Sequence, residues 1–281
     1  MKADRTEAGP AIASIPVAMT IAGSDPSGGA GLQADLKTFA ALKVYGLSVI
    51  TAVIAQNTAR VSRVQAVEPE MVVAQLETII AERMPDGLKI GALASAAVTK
   101  TVAKRVESMG LPAPVLDPVL VASNGTRLLE PAGERILRAQ LIPLASVITP
   151  NIPEAEVLSE IAIDGVAAMH RAAQQLHKLG ARTVLIKGGH WPTTIRDGSR
   201  AAQAVDLFFD GHRYIEFAAV RIPGGGAHGT GCALSAAIAA WLARGADLET
   251  AISRAKRFLT RALKNMLLVG TGRYVLDHFA R

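Results

Sequence analysis

Short apolar segments alternate with longer segments of helical periodicity along nearly the whole chain, and this alternation constrains the fold most strongly. It predicts an α/β fold with a mostly parallel central sheet and helices on both faces. The predicted strands are "VAMTIAG" at 17, "SVITAVIA" at 48, "GLKIGAL" at 87, "APVLDP" at 113, "ASVITP" at 145 and "RTVLIKGG" at 182. The predicted helices cover 29–43, 70–83, 95–109, 131–140, 153–160, 166–179, 230–244 and 248–268.

Helix-capping residues support these helix ends. Gly110, Gly180 and Gly245 each close a periodic segment, and Ser95 and Asp247 are suitable N-caps. No internal repeat or long linker divides the 281 residues. We therefore expect a flexible N-terminal tail over residues 1–14 and a single domain over 15–281.

Two further segments alternate apolar with polar residues, at 59–68 and 204–217. This pattern predicts exposed antiparallel strands, the second turning at Asp210-Gly211. Either a small β flap or an addition to the sheet edge fits them.

The composition excludes several classes of protein. The net charge of +6 favours anionic ligands, but basic and acidic residues are interleaved and aromatic residues make up only 4% of the chain. The main basic stripe has helical spacing, which predicts a solvated helix face rather than a nucleic-acid surface; its members are Arg254, Arg257, Arg261 and Lys264. One cysteine forms no internal disulfide, and neither a signal peptide nor an eighteen-residue apolar run is present. These features predict a soluble cytoplasmic protein that binds no membrane.

The loop "GGGAHGTGC" at 224–232 runs directly into the helix former "ALSAAIAAWLARG". Glycines expose consecutive backbone N–H groups, and a following helix adds the positive end of its dipole, so the pattern predicts an anion site. The alternative is a loop selected for turn geometry alone. No Gly-Lys-Ser/Thr follows, so it is not a Walker loop.

Cys232 stands where this helix begins. The dipole favours a thiolate there, so the sequence predicts a lowered pKa and makes Cys232 a candidate base beside a transferring phosphate. The alternative is a small buried residue.

A second glycine cluster, "AGSDPSGGAGLQADLK", follows the first predicted strand. Gly29, Gly31 and Ala34 fit the dinucleotide pattern G-x-G-x-x-A. That fold also needs an acidic residue about 20 positions further on. No Asp or Glu occurs between Leu36 and Val67, which disfavours a nicotinamide or flavin enzyme.

Polar side chains follow several of the predicted strands. Asp35 could hold a ligand hydroxyl, and the Gln56 amide suits a nitrogen heterocycle because it both donates and accepts. Asp117, Glu154 and Lys187 also follow strands, and two carboxylates with a lysine and an anion loop are the parts that phosphoryl transfer needs. Each residue alone could be a cap, a turn residue or a surface charge.

Seven segments together resemble the hydroxymethylpyrimidine and phosphomethylpyrimidine kinases of thiamin biosynthesis, within the ribokinase-like superfamily. They are "TIAGSDPSGGAGLQADLKTF", "AQNT", "KIGAL", "LDPV", "TPNIPEAE", "KGGH" and "HGTGC". The likeness runs from about residue 17 to the C-terminus. It implies a ribokinase-like three-layer sandwich, usually dimeric, that uses ATP and Mg²⁺ to phosphorylate 4-amino-5-hydroxymethyl-2-methylpyrimidine and then its monophosphate.

The resemblance also implies roles for individual residues. Gly23, Asp35, Gln56 and Val119 would line the pyrimidine pocket. The anion hole and the transfer step would use Gly229, Gly231 and Cys232. The ATP phosphates would be bound by Lys187, Asn151 and Thr230, and Mg²⁺ by Glu154 directly and Asp117 through water.

The chain departs from the family pattern around the site. Ala92 stands where the family usually has Met, Gly226-Ala227 replaces Asn-Thr, and Ala233 replaces a common Thr. The smaller Ala92 leaves a roomier pocket, and we hypothesise that it admits a bulkier ring such as pyridoxal. Two alternatives therefore stay open, a pyridoxal-type kinase and a non-catalytic ligand-binding relative.

Overall fold

The computed structural model describes residues 15–122, 125–190, 203–222 and 226–280, and the predicted tail at 1–14 lies outside them. Within that part, nine strands form one sheet: β1 Val17–Ser24, β2 Tyr45–Gln56, β3 Val61–Ala66, β4 Gly87–Ile90, β5 Val115–Leu116, β6 Val147–Ile148, β7 Val184–Ile186, β8 Gln203–Phe209 and β9 Tyr214–Val220. The α-helices are α1 Gly31–Ala41, α2 Pro69–Glu82, α3 Ala96–Ser108, α4 Pro131–Ile136, α5 Ile152–Ser159, α6 Val166–Lys178, α7 Thr230–Ala243 and α8 Leu248–Lys264.

The strand order is β3-β2-β1-β4-β5-β6-β7-β8-β9. The six central strands, from β2 to β7 in this order, are parallel. Antiparallel strands extend both edges, β3 beside β2 and the pair β8 and β9 beside β7. Because parallel strands end at one edge of a sheet, the loops after β1, β2 and β4 to β7 meet on the same side.

The alternating side chains of the central strands build two separate cores. Met19, Ile21 and Ile90 face the core formed with α2, α3, α5 and α6. Ala18 and Val115 face the opposite core, formed with α1, α7 and α8. The predicted three layers, a mostly parallel sheet between two helical layers, are therefore observed.

Helix α7 packs unusually close to the sheet. Its residues from Ala233 to Ala240 are all buried. A Cβ added to Gly87 on β4 would lie 2.6 Å from the Ala239 carbonyl oxygen, so the small residues of both elements permit this approach. The packing fixes the N-terminus of α7 relative to the ends of the central strands.

Most predicted helix ends are confirmed. Ser95 and Asp247 accept hydrogen bonds from backbone N–H groups of the first turns of α3 and α8. Gly110, Gly180 and Gly245 have positive φ angles of 62°, 108° and 79°.

The two alternating segments are edge additions to the main sheet. Both pair antiparallel with its edges, as predicted. The expectation of exposure was wrong for the second segment, because Asp206 to Phe209 on β8 are buried between β7 and β9.

The surface of α8 and the apolar character of the helices agree with the sequence. The basic stripe on α8 is exposed at all four positions, as a solvated helix face requires. Across the described residues, none of the helices combines the length and the apolar character of a membrane span.

Candidate active site

A cavity of about 600 Å³ opens where the parallel strands end. Its walls come from the two glycine-rich loops, the strand ends and one side of α8. Of the twelve residues predicted from the sequence, all but Asp35 line it. The eleven lining residues are Gly23, Gln56, Asp117, Val119, Asn151, Glu154, Lys187, Gly229, Thr230, Gly231 and Cys232.

The loop before α7 presents its backbone to the cavity. Gly229 is the N-cap of α7 and has φ +87°, a conformation that L side chains rarely adopt. A Cβ on Gly231 would lie 3.1 Å from Lys187 Nζ and 3.6 Å from Asp117 Oδ2. The free N–H groups at the start of α7 therefore lie beside a charged pair, an arrangement that suits a phosphate.

The charged pair is formed by Asp117 and Lys187. Lys187 Nζ donates to Asp117 Oδ1 over 2.7 Å and lies 4.0 Å from Glu154 Oε2. The other carboxylate oxygen of Asp117 accepts from Ser235 on α7 over 3.3 Å. Burial opposes the charge of Lys187, but Asp117 and Glu154 outweigh this effect and raise its pKa. The ammonium is therefore present throughout the physiological pH range.

Glu154 combines a local structural role with an unusual charge state. Its carboxylate accepts from the Asn151 backbone N–H, and the Asn151 side chain accepts from the Glu154 N–H, which forms a capping box at the start of α5. Burial and the nearby Asp117 raise the pKa of Glu154 to about 7, although Lys187 opposes the shift. Glu154 can therefore exchange a proton near neutral pH.

The two carboxylates suit a divalent cation only if a ligand contributes further oxygens. Among the residues that the structure describes, no cluster of three His, Cys, Asp or Glu side chains could hold a metal ion. Mg²⁺ commonly binds through one or two carboxylates together with water and substrate phosphates. Asp117 and Glu154 fit that donor set.

The predicted low pKa of Cys232 is wrong. Burial is the largest effect and raises the pKa of the thiol to about 12, although the Lys89 ammonium and the Gly31 backbone N–H favour the thiolate. The carboxylates of Asp35 and Asp117 raise the pKa further. Cys232 is therefore a neutral thiol at physiological pH.

Another part of the cavity wall is largely apolar. Gly23, Ala92 and Ile54 are neighbours there, since a Cβ on Gly23 would lie 3.1 Å from Ile54 Cδ1 and 3.7 Å from Ala92 Cβ. Val119 and the Gln56 side chain complete this wall. One amide among apolar groups suits a flat heterocycle.

Asp35 lies behind the cavity wall. Its side chain is fully buried and accepts from Lys89 Nζ over 2.7 Å and from Thr20 Oγ1 over 2.6 Å. Lys89 itself lines the cavity. Both bonds end on Oδ2, and the buried Oδ1 has no hydrogen-bond partner among the described residues.

Several charged or polar residues at the cavity were not singled out from the sequence, among them Lys89, Asp25 and His228. Lys89 could have been noticed as the single charge inside an apolar strand. Asp25 and His228 flank the two glycine loops and contact each other over 2.8 Å. Their positions are 203 residues apart in the chain, so no local pattern signals that contact.

Comparison with known proteins gives consistent matches. The family model described as phosphomethylpyrimidine kinase matches residues 25–277. The hydroxymethylpyrimidine/phosphomethylpyrimidine kinase of Rhizobium meliloti is 44% identical over 268 residues, covering 94% of this chain and 97% of that protein. The thiamine biosynthesis bifunctional protein ThiED of Geobacter sulfurreducens is 42% identical over 260 residues, covering 92% of this chain but 51% of that protein. This chain thus spans about half the length of that relative.

A solved structure confirms the predicted ribokinase-like fold. The pyridoxal kinase of Bacillus subtilis, in a complex with ADP, superposes with a TM-score of 0.85 and 37% identity, covering 95% of this chain and 98% of that chain. The family model and the sequence identities extend over the strand-end loops that form the cavity. The protein therefore belongs to the phosphomethylpyrimidine kinase family.

Proposed function

We propose that this kinase transfers phosphate from ATP to the hydroxyl group of 4-amino-5-hydroxymethyl-2-methylpyrimidine and then to the resulting monophosphate, as in thiamin biosynthesis. The observation that carries the proposal is the meeting of the N-terminus of α7 with the Asp117–Lys187 pair at one end of a cavity. The same cavity is lined by the Gln56 amide and by apolar groups of Ile54, Ala92 and Val119. Family membership agrees with this division into a phosphate end and a heterocycle end.

At the phosphate end, the chain supplies fixed positive potential. The N–H groups of Gly229 to Cys232 would surround the transferred phosphate, and Lys187, with Asn151 and Thr230 beside it, would neutralise the nucleotide phosphates. Such transfers depend chiefly on positioning and electrostatic stabilisation. Glu154, and Asp117 through water, would hold Mg²⁺, which would supply positive charge against the phosphates.

Cys232 would act as a neutral group in this mechanism. A thiol with a pKa of about 12 accepts no proton at pH 7. Its backbone N–H belongs to the first turn of α7, so its contribution is to the anion hole. The side chain would then position the acceptor rather than serve as base.

At the heterocycle end, Gln56 would pair with the ring nitrogens, with Gly23 and Val119 against the ring. Asp35 would support this wall through Lys89 unless the ion pair opens. We also propose, from family resemblance, that the protein forms a homodimer.

A pyridoxal kinase is the second candidate function. Ala92 leaves space beside Gly23, and a pyridoxal kinase superposes closely on this chain. The test is to incubate the protein with ATP, Mg²⁺ and equal concentrations of hydroxymethylpyrimidine and pyridoxal, and to quantify the phosphorylated products by mass spectrometry. We expect pyrimidine products to predominate. A predominance of pyridoxal phosphate would reverse the order of the two candidates.

A further inference from the structure

The two glycine-rich loops touch each other backbone to backbone. We call residues 25–31 the first glycine loop and residues 226–232 the second glycine loop. A Cβ added to Gly229 would lie 1.8 Å from the Gly29 carbonyl oxygen. One added to Gly29 would lie 2.7 Å from His228 Cδ2. No side chain fits at this contact, so the glycines here permit two loops from distant parts of the chain to pack together.

One carboxylate organises the contact. Asp25 is 1% exposed and accepts at Oδ1 from the Ser27 backbone N–H over 2.9 Å and the Ser27 hydroxyl over 2.7 Å. At Oδ2 it accepts from the Ala30 backbone N–H over 2.7 Å and from His228 Nε2 over 2.8 Å. The same side chain therefore shapes the first glycine loop and holds the second glycine loop against it.

The Asp25–His228 hydrogen bond is charge-assisted. Burial would raise the pKa of Asp25, but the hydrogen bonds from His228, Ser27, Gln56 and Ala30 outweigh burial and hold this pKa well below its usual range. A carboxylate only accepts, so His228 Nε2 carries the hydrogen. Hydrogen bonds to an ionised acceptor are roughly twice as strong as those between neutral groups.

The contact joins both ends of the cavity. The Gln56 side chain helps to lower the pKa of Asp25, so it lies near this carboxylate. At the phosphate end, the Gly31 backbone N–H donates toward the Cys232 sulfur. A Cβ on Gly31 would lie 2.6 Å from the Gly23 carbonyl oxygen, so the first glycine loop also lies against the heterocycle wall.

We propose that Asp25 and His228 are positioning residues that hold the anion-binding second glycine loop at a fixed distance from the acceptor. The proposal rests on the proposed kinase function for its catalytic consequence. Phosphoryl transfer is sensitive to misplacement of the acceptor by about 1 Å, so loss of the tether lowers turnover more than it weakens binding.

The first test compares two substitutions of His228. His228→Leu keeps much of the volume but removes the donor, whereas His228→Gln can place an amide N–H near the position of Nε2. We expect kcat to fall at least tenfold in His228→Leu, with KM for ATP and acceptor changing less than threefold, and to stay within about threefold of wild type in His228→Gln. The matched control is His170→Leu, because His170 stacks on Tyr214 and does not line the cavity.

The second test needs no catalytic activity. Cys232 is the only cysteine of the chain, so alkylation by iodoacetamide reports on the contact between the two loops. We expect at least fivefold faster alkylation in His228→Leu and an unchanged rate in His228→Gln and His170→Leu. A folded His228→Gln protein with tenfold lower kcat or fast alkylation overturns the proposal, as does wild-type behaviour of His228→Leu. If the wild type phosphorylates neither heterocycle, the proposed function fails, while the alkylation result still decides whether the tether exists.

Discussion

Lys187 Nζ lies 2.7 Å from Asp117 Oδ1, directly beneath the backbone of Gly231 at the start of α7. The two residues are 70 positions apart, and parallel strands β5 and β7 bring them together. Asp117 partly neutralises the ammonium until a phosphate competes for Lys187 or a metal ion competes for Asp117. This relationship places a positive charge beside the proposed site of transfer.

Lys187→Met is expected to lower kcat/KM at least a hundredfold, because the variant loses the cation proposed to neutralise the nucleotide phosphates. Steady-state assays over a range of ATP concentrations measure the effect. Lys178→Met is a matched control, since Lys178 lies in the last turn of α6 and does not line the cavity. Equal activity of the two variants would remove Lys187 from the mechanism.

Cys232→Ser is expected to lower turnover by less than about tenfold and to leave the shape of the pH–rate profile between pH 6 and 9 unchanged. The reason is that the thiol has a pKa of about 12 and is neutral across this range. Alkylation of the wild-type thiol should remain slow up to pH 9. A limb of the wild-type profile that disappears in Cys232→Ser would instead identify the thiol as a titrating base.

Ala92→Met is expected to lower the ratio of pyridoxal to hydroxymethylpyrimidine turnover, because the larger side chain fills space next to Gly23. Competition assays with both heterocycles measure this ratio directly. Ala94→Met is unsuitable as a control, because Ala94 has a positive φ of 65° and a larger side chain would be strained there. Ala92→Val is used instead, as a variant of intermediate side-chain volume. If the ratio is the same in all three proteins, the volume at position 92 does not set ring preference.

Lys89→Met is expected to destabilise the fold by about 3 kcal/mol, because it leaves the buried Asp35 carboxylate without its cation. Both side chains are 0% exposed. Urea unfolding monitored by circular dichroism gives the free energy. The double variant Lys89→Met, Asp35→Asn should recover part of the loss, and a double variant less stable than the single one would contradict this explanation.

Stability should fall as the pH decreases from about 6.5 toward 4, partly through His278. Burial lowers the pKa of this imidazole to about 4, so the unfolded chain binds a proton over this range while the folded chain does not. The contribution is present above the unfolded pKa and is lost as the pH falls. Urea midpoints at several pH values test it, and His278→Asn should show a shallower decline than wild type. An identical slope would exclude His278 as the source.

Much of the fold could be predicted because its signals are local. Apolar runs, glycine stops and the caps at Ser95 and Asp247 each depend on a few neighbouring residues. The strand ends could be predicted as the location of the site because parallel strands share an edge. Strands β5 and β6 are only two residues long. Their shortness could not be predicted, because their apolar runs are about as long as those of the longer strands.

The properties that depend on tertiary contact were predicted less well. The pKa of Cys232 follows from burial beneath the first glycine loop, and nothing near Cys232 in the sequence indicates it. Asp35 could be found from sequence, but its pairing with Lys89, 54 positions away, could not. The same holds for Asp25 and His228, whose contact depends on two distant glycine loops.

The central claim is that one site phosphorylates the pyrimidine twice, and a time course tests it most directly. The protein is incubated with ATP, Mg²⁺ and hydroxymethylpyrimidine alone, and the products are followed by mass spectrometry. We predict that a monophosphate accumulates first and is then converted to the diphosphate, and that Lys187→Met abolishes both steps. A pyrimidine that gains no phosphate under these conditions would contradict the account.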